Sequence, residues 1–108
     1  MARTHIDQRA RARRAWPRLV DVSRRRGRIT YGALAAALGL HHRAASWFLG
    51  EIQRYCRDQG LPPLQALAVN RRTKLPGTGY VASARSGAAY QRALDRVYVF
   101  RRPKRAPF

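Results

Sequence analysis

Residues 29–56 read ITYGALAAALGLHHRAASWFLGEIQRYC, and this stretch decides the fold. Thr30 has the side chain to cap a helix that begins at Tyr31. Leu34 and Leu38 lie four apart on one face of that helix, and Gly39 closes it. "LHHR" turns the chain into a further helix, expected from about His42 to Gln59. In it Ala45, Phe48, Leu49, Ile52 and Cys56 recur at i, i+3, i+4, i+7 and i+11, the spacing of one buried stripe. The opposite face carries Arg43, Ser46, Gly50, Gln53, Arg54 and Arg57, with Glu51 and Asp58 as the helix's acids. Trp47 lies beside the stripe and is assigned to the core, ahead of a partner surface or a stacking ring. Two helices joined by a short glycine turn, the second basic outside and apolar inside, read as a helix-turn-helix.

The flanks extend this reading. Upstream, a helix is expected to start near Trp16-Pro17, because proline suits a first helical turn. Trp16, Leu19, Val20 and Val22 supply its apolar side, and "SRRRG" ends it with Gly27 as C-cap. Residues 1–14, with Arg3, Arg9, Arg11, Arg13 and Arg14, read as a flexible basic arm. Downstream, "LPPLQALAVNRRTKLPGTGYVA" breaks helix at its prolines. Ala66–Val69 and Tyr80-Val81 are expected to pair as a hairpin, with Arg71, Arg72 and Lys74 near its tip. Such a hairpin is a wing. Ser86 is placed to cap a last helix with Tyr90, Leu94, Val97 and Tyr98 on one face, and residues 101–108 form a proline-broken basic tail. The expected fold is mainly α with a small β-hairpin: a winged helix-turn-helix over residues 15–100.

Charge narrows the partners. The 108-residue chain has 23 Lys plus Arg against 5 Asp plus Glu, a formal charge of +18. Of those bases 21 are arginines. The guanidinium binds phosphate bidentately and stacks on bases, and a surplus this large repels itself unless a polyanion neutralises it. Nucleic acid is the expected partner. No apolar run is long enough to span a membrane, and the basic N-terminus lacks the apolar core of a secretory signal, so a cytoplasmic, nucleoid-associated place is expected. One cysteine permits no internal disulfide and no cysteine-built zinc site. The five acids are scattered, His41 and His42 are adjacent with His5 distant, and no phosphate loop of the Walker type is present. No cofactor and no metal are expected.

"ITYGALAAALG", the alanine-containing helix after it and "LPPLQALAVNRRTKLPGTGY" resemble the DNA-binding domain of alkylguanine-DNA alkyltransferases. They look closer still to the inactive alkyltransferase-like proteins. The resemblance covers roughly Trp16 to Val81. It implies a winged helix-turn-helix that binds the minor groove and can turn a base out of the stack, with Tyr31 at the position that helps rotate the nucleotide's phosphate. With the tyrosines aligned without gaps, the family's intercalating arginine falls on Ala45, and Arg43 stands two residues away. The segment matching the family's proline-cysteine-histidine-arginine core, "LPPLQALAV", has neither cysteine nor histidine. Alkyl transfer needs a thiolate beside a histidine, and Cys56 belongs to the apolar stripe instead.

The reading is therefore a non-enzymatic protein that binds duplex DNA through Arg28, Tyr31, His42, Arg43, Ser46, Gln53, Arg54, Arg57, Arg71, Arg72 and Lys74. The alternatives are an RNA- or ribosome-associated basic protein, and a mobile-element or phage factor that acts on a nucleic-acid-bound complex through a protein partner.

Overall fold

The computed structural model describes residues 7–76 and 87–108. Helix α1 spans Gln8–Arg24, strand β1 Ile29–Thr30, α2 Tyr31–Ala37, α3 Ala45–Gln59, strand β2 Ala68–Val69 and α4 Gly87–Val99. Two 3-10 turns, His42–Ala44 and Leu64–Leu67, precede α3 and β2. The described chain is mainly helical with a small two-stranded sheet.

Helix α1 starts well before Trp16. Asp7 caps it, its carboxylate accepting from the Ala10 N–H at 2.9 Å. The buried Ala12, Ala15, Trp16, Leu19 and Val20 form one stripe at i, i+3, i+4, i+7 and i+8. The small alanines carry that stripe back through a stretch whose arginines suggest an arm, and arginine is itself a good helix former. Residues 8–14 of the expected arm are thus helical, while Arg3 lies outside the described residues. Pro17 sits inside the helix rather than at its start. An interior proline costs about 3 kcal/mol, which the burial of its neighbours Trp16, Leu19 and Val20 offsets. At the other end Arg25 is the C-cap, and Arg26, not Gly27, takes the left-handed backbone at φ 54.

The central pair follows its sequence. Thr30 caps α2, its hydroxyl accepting from the Ala33 N–H at 3.1 Å. Leu34 and Leu38 are buried, and Gly39 turns the chain at φ 73. The first residues of the expected third helix form the 3-10 turn, capped by His41 Nδ1, which accepts from the Arg43 N–H at 3.2 Å. Ala45, Phe48, Leu49, Ile52 and Cys56 of α3 are buried, and Gly60 ends the helix at φ 66. Helix α3 packs on α1 and α2, and α1 also contacts α4.

The described sheet is a different pairing from the expected hairpin, whose second strand lies outside the described residues. Strand β2 pairs in parallel with β1, Ile29 opposite Ala68 and Thr30 opposite Val69. The expected strand Ala66–Val69 divides into a 3-10 turn and two strand residues. Proline-led backbone continues as a tight turn through Leu64–Leu67, all buried, and reaches β1 only at Ala68. Tyr80-Val81 and Ser86 lie outside the described residues. In α4, Tyr90, Leu94 and Val97 are buried with Ala93, and Tyr98 is half-buried. The Tyr90 hydroxyl donates to the buried Ala66 carbonyl at 2.7 Å.

The tail packs on the core. Trp16 Nε1 donates to the Pro103 carbonyl at 2.9 Å. Phe108 meets Trp16 edge-on at 5.6 Å and Tyr55 at 5.1 Å, with the Arg9 guanidinium 5.0 Å over its ring. Arg102 is 7 % exposed, lies 4.8 Å from the Phe100 ring and donates from Nη2 to the Pro62 carbonyl at 3.1 Å. Aromatic rings and arginine stems at 100, 102 and 108 supply the apolar area that the tail's charge conceals.

Candidate nucleic-acid interface

The buried stripe of α3 fixes what its outer face presents. Arg43 in the preceding turn, Ser46, Arg54 and Arg57 are exposed, and Gln53 and Gly50 are half-exposed. Trp47 is 68 % exposed, so it is surface, not core. It lies three residues before Gly50 and seven before Arg54, on the line most nearly opposite the stripe. That helical position was readable from sequence; the size and apolarity of tryptophan pointed the other way. The Arg54 guanidinium holds Glu51 at 3.1 Å, and Arg57 meets Asp58 at 3.4 Å. The two acids of the helix are thereby neutralised in place. Arg43 is left exposed at the entry turn, beside His41 and His42, whose rings are 4.1 Å apart.

A second basic group forms where β2 ends. Asn70 organises the loop: its Oδ1 accepts from the Arg72 and Thr73 N–H groups at 2.8 and 3.2 Å. The backbone closes over it, with Lys74 N–H donating to the Asn70 carbonyl at 2.8 Å and Asn70 N–H to the Leu75 carbonyl at 2.9 Å. Lys74 takes φ 60. Arg71, Arg72 and Lys74 are exposed around this loop. Arg28, before β1, donates to the Lys74 carbonyl at 3.0 Å, so the β1–β2 pairing brings it to the same group. Residues 77–79 of "PGTG" lie outside the described residues. Tyr31 is half-buried and packs against the core at the start of α2.

Cys56 is 1 % exposed, and burial pushes its thiol up from the ordinary value, with Arg102 opposing the shift. Arg102 is pushed down by the same desolvation. A nucleophilic thiolate needs the reverse: access and a depressed pKa. A groove of about 780 Å³ opens between the ends of α1 and α4, lined by Ser23, Arg24, Arg26, Tyr98 and Arg101 among others. Among the described residues, no histidine, cysteine or carboxylate lines it. Among the described residues no three His, Cys, Asp or Glu side chains come together, and no helix is long and apolar enough to cross a membrane. Compared with known protein families, curated proteins and solved structures, the chain matches none.

Proposed function

We propose that the chain binds DNA without reacting with it, as a winged helix-turn-helix of the alkyltransferase-like kind. One observation carries the reading: the face of α3 turned away from the core presents Arg43, Ser46, Gln53, Arg54 and Arg57, and its only carboxylates are already held by arginines. A rigid helix backed by α1 and α2 offers that face to a groove, and exposed arginines bind phosphate whatever the base sequence. Arg28, Arg71, Arg72 and Lys74 add a second set of phosphate contacts. Burial of the single thiol, raised in pKa, supports a binding role over alkyl transfer.

The test is a fluorescence-anisotropy titration against duplex DNA and structured RNA at several salt concentrations. The two groups hold seven bases, two of them already in ion pairs. Engagement of five to seven phosphates gives log affinity a slope of about −4 to −6 against log salt. Duplex preferred over RNA with that slope is the expected result. Salt-independent binding, or RNA preferred at every salt, overturns the reading.

A further inference from the structure

Resting on the DNA-binding reading, we infer that Trp47 is a stacking platform for unpaired bases, so that the preferred target of α3 is DNA with a single-stranded interruption rather than continuous duplex. Trp47 and Val99 are the exposed large apolar side chains among the described residues, each 68 % exposed, and Val99 lies on a different helix. Leaving an indole in water forgoes the burial that a large apolar side chain otherwise gains. Its surroundings say what covers it. Arg43 lies four residues before it, and Ser46 beside it is exposed. Gly50, one turn on, has open space around its Cβ position. Glu51, at i+4, is turned into an ion pair with Arg54 at 3.1 Å. The ring therefore stands on a helix face with a shallow step at Gly50 and cations on either side along the axis.

An apolar protein partner would meet this face with the exposed guanidinium of Arg43, which, among the described residues, no carboxylate holds. A nucleotide meets it with a π-face for the indole and phosphates for Arg43 and Arg54. Continuous duplex does not offer that π-face, since neighbouring bases cover one another and a step must be unstacked to expose one. A gap presents it without that cost. Trp16, by contrast, is 1 % exposed with its N–H bonded to Pro103, and is out of reach of any ligand.

The experiment uses the full chain and three DNAs: a continuous duplex, the same duplex with a central single-stranded gap, and the free single strand. Binding is followed by anisotropy of the DNA and by tryptophan emission of the protein. Stacking on one base corresponds to about a five- to hundredfold preference for gapped over continuous duplex. Wild-type emission falls on the gapped DNA. In Trp47→Ala the preference collapses towards unity; Trp47→Phe recovers part of it, and the remaining Trp16 emission stays constant. Equal affinity for gapped and continuous duplex, or a preference that survives in Trp47→Ala, overturns the inference and leaves the DNA-binding reading standing. Binding to none of the three DNAs overturns both. A wild-type dimer in sedimentation that Trp47→Ala dissolves also overturns the inference, assigning the ring to a second copy of the chain.

Discussion

Replacing Trp16 by phenylalanine tests the claim that the basic tail is part of the core. The indole joins three segments. It belongs to α1, meets Tyr55 of α3 edge-on at 5.9 Å and Phe108 of the tail at 5.6 Å, and donates to Pro103 at 2.9 Å. Arg102 lies 5.8 Å from its ring. Phenylalanine keeps one six-membered ring and removes the donor. Loss of that hydrogen bond costs about 1 kcal/mol. The smaller ring and its weakened edge contacts add about 1–2 kcal/mol, below the ~3–5 kcal/mol of full truncation to alanine. The sum, about 2–3 kcal/mol, shifts a urea midpoint by about 1–2 M for a domain whose slope is about 1.5 kcal/mol/M. Circular dichroism at the helix band follows the transition. Limited trypsin digestion reports the tail directly, because a released tail exposes the bonds after Arg101, Lys104 and Arg105. An unchanged midpoint, together with unchanged cleavage of the tail, would refute the docking of the tail on Trp16.

Two further outcomes follow from local geometry. Gly60 ends α3 at φ 66 with open space around its Cβ position, so Gly60→Ala pays backbone strain alone and loses about 1 kcal/mol in chemical denaturation. Cys56 is raised from 9.0 mainly by burial, so the folded chain keeps a proton that the unfolded chain has lost. Stability therefore falls as pH rises past the ordinary thiol value, and Tyr98, raised from 10.0 by burial, extends the fall. Cys56→Ala flattens the first part of that slope in pH-dependent denaturation, and thiol reagents label wild-type Cys56 only after unfolding.

The helices of the central segment were legible because short-range signals agree. Thr30 caps, Gly39 and Gly60 stop, and the stripe from Ala45 to Cys56 repeats at helical period, so each element is specified within a few residues of itself. The basic face of α3 follows from that stripe alone. Three features needed the folded chain. For Trp47 the size and apolarity of the ring argue for the core and its helical phase for the outer face; the packing of α1 and α2 against the opposite side leaves it in water. The start of α1 is masked in the sequence by arginines that alternate with a buried stripe carried by small alanines. Local spacing points β2 to a nearby hairpin partner, since hairpins close short loops, while the described pairing joins Ala68 and Val69 to Ile29 and Thr30 across α2 and α3.

The sequence by itself determined that this chain is a mostly helical, strongly basic domain with an apolar side and an arginine side on its longest central helix. Those properties depend on residue type and on spacings of three or four, which are local. Tertiary structure decided which cations stand together, Arg28 beside the Asn70–Leu75 loop, and that the tail closes on Trp16. It also decided that one tryptophan is buried while the other faces solvent. These are relations between segments far apart in the chain. They are fixed by how much apolar surface the helices bury together, a quantity that no local window of the sequence contains.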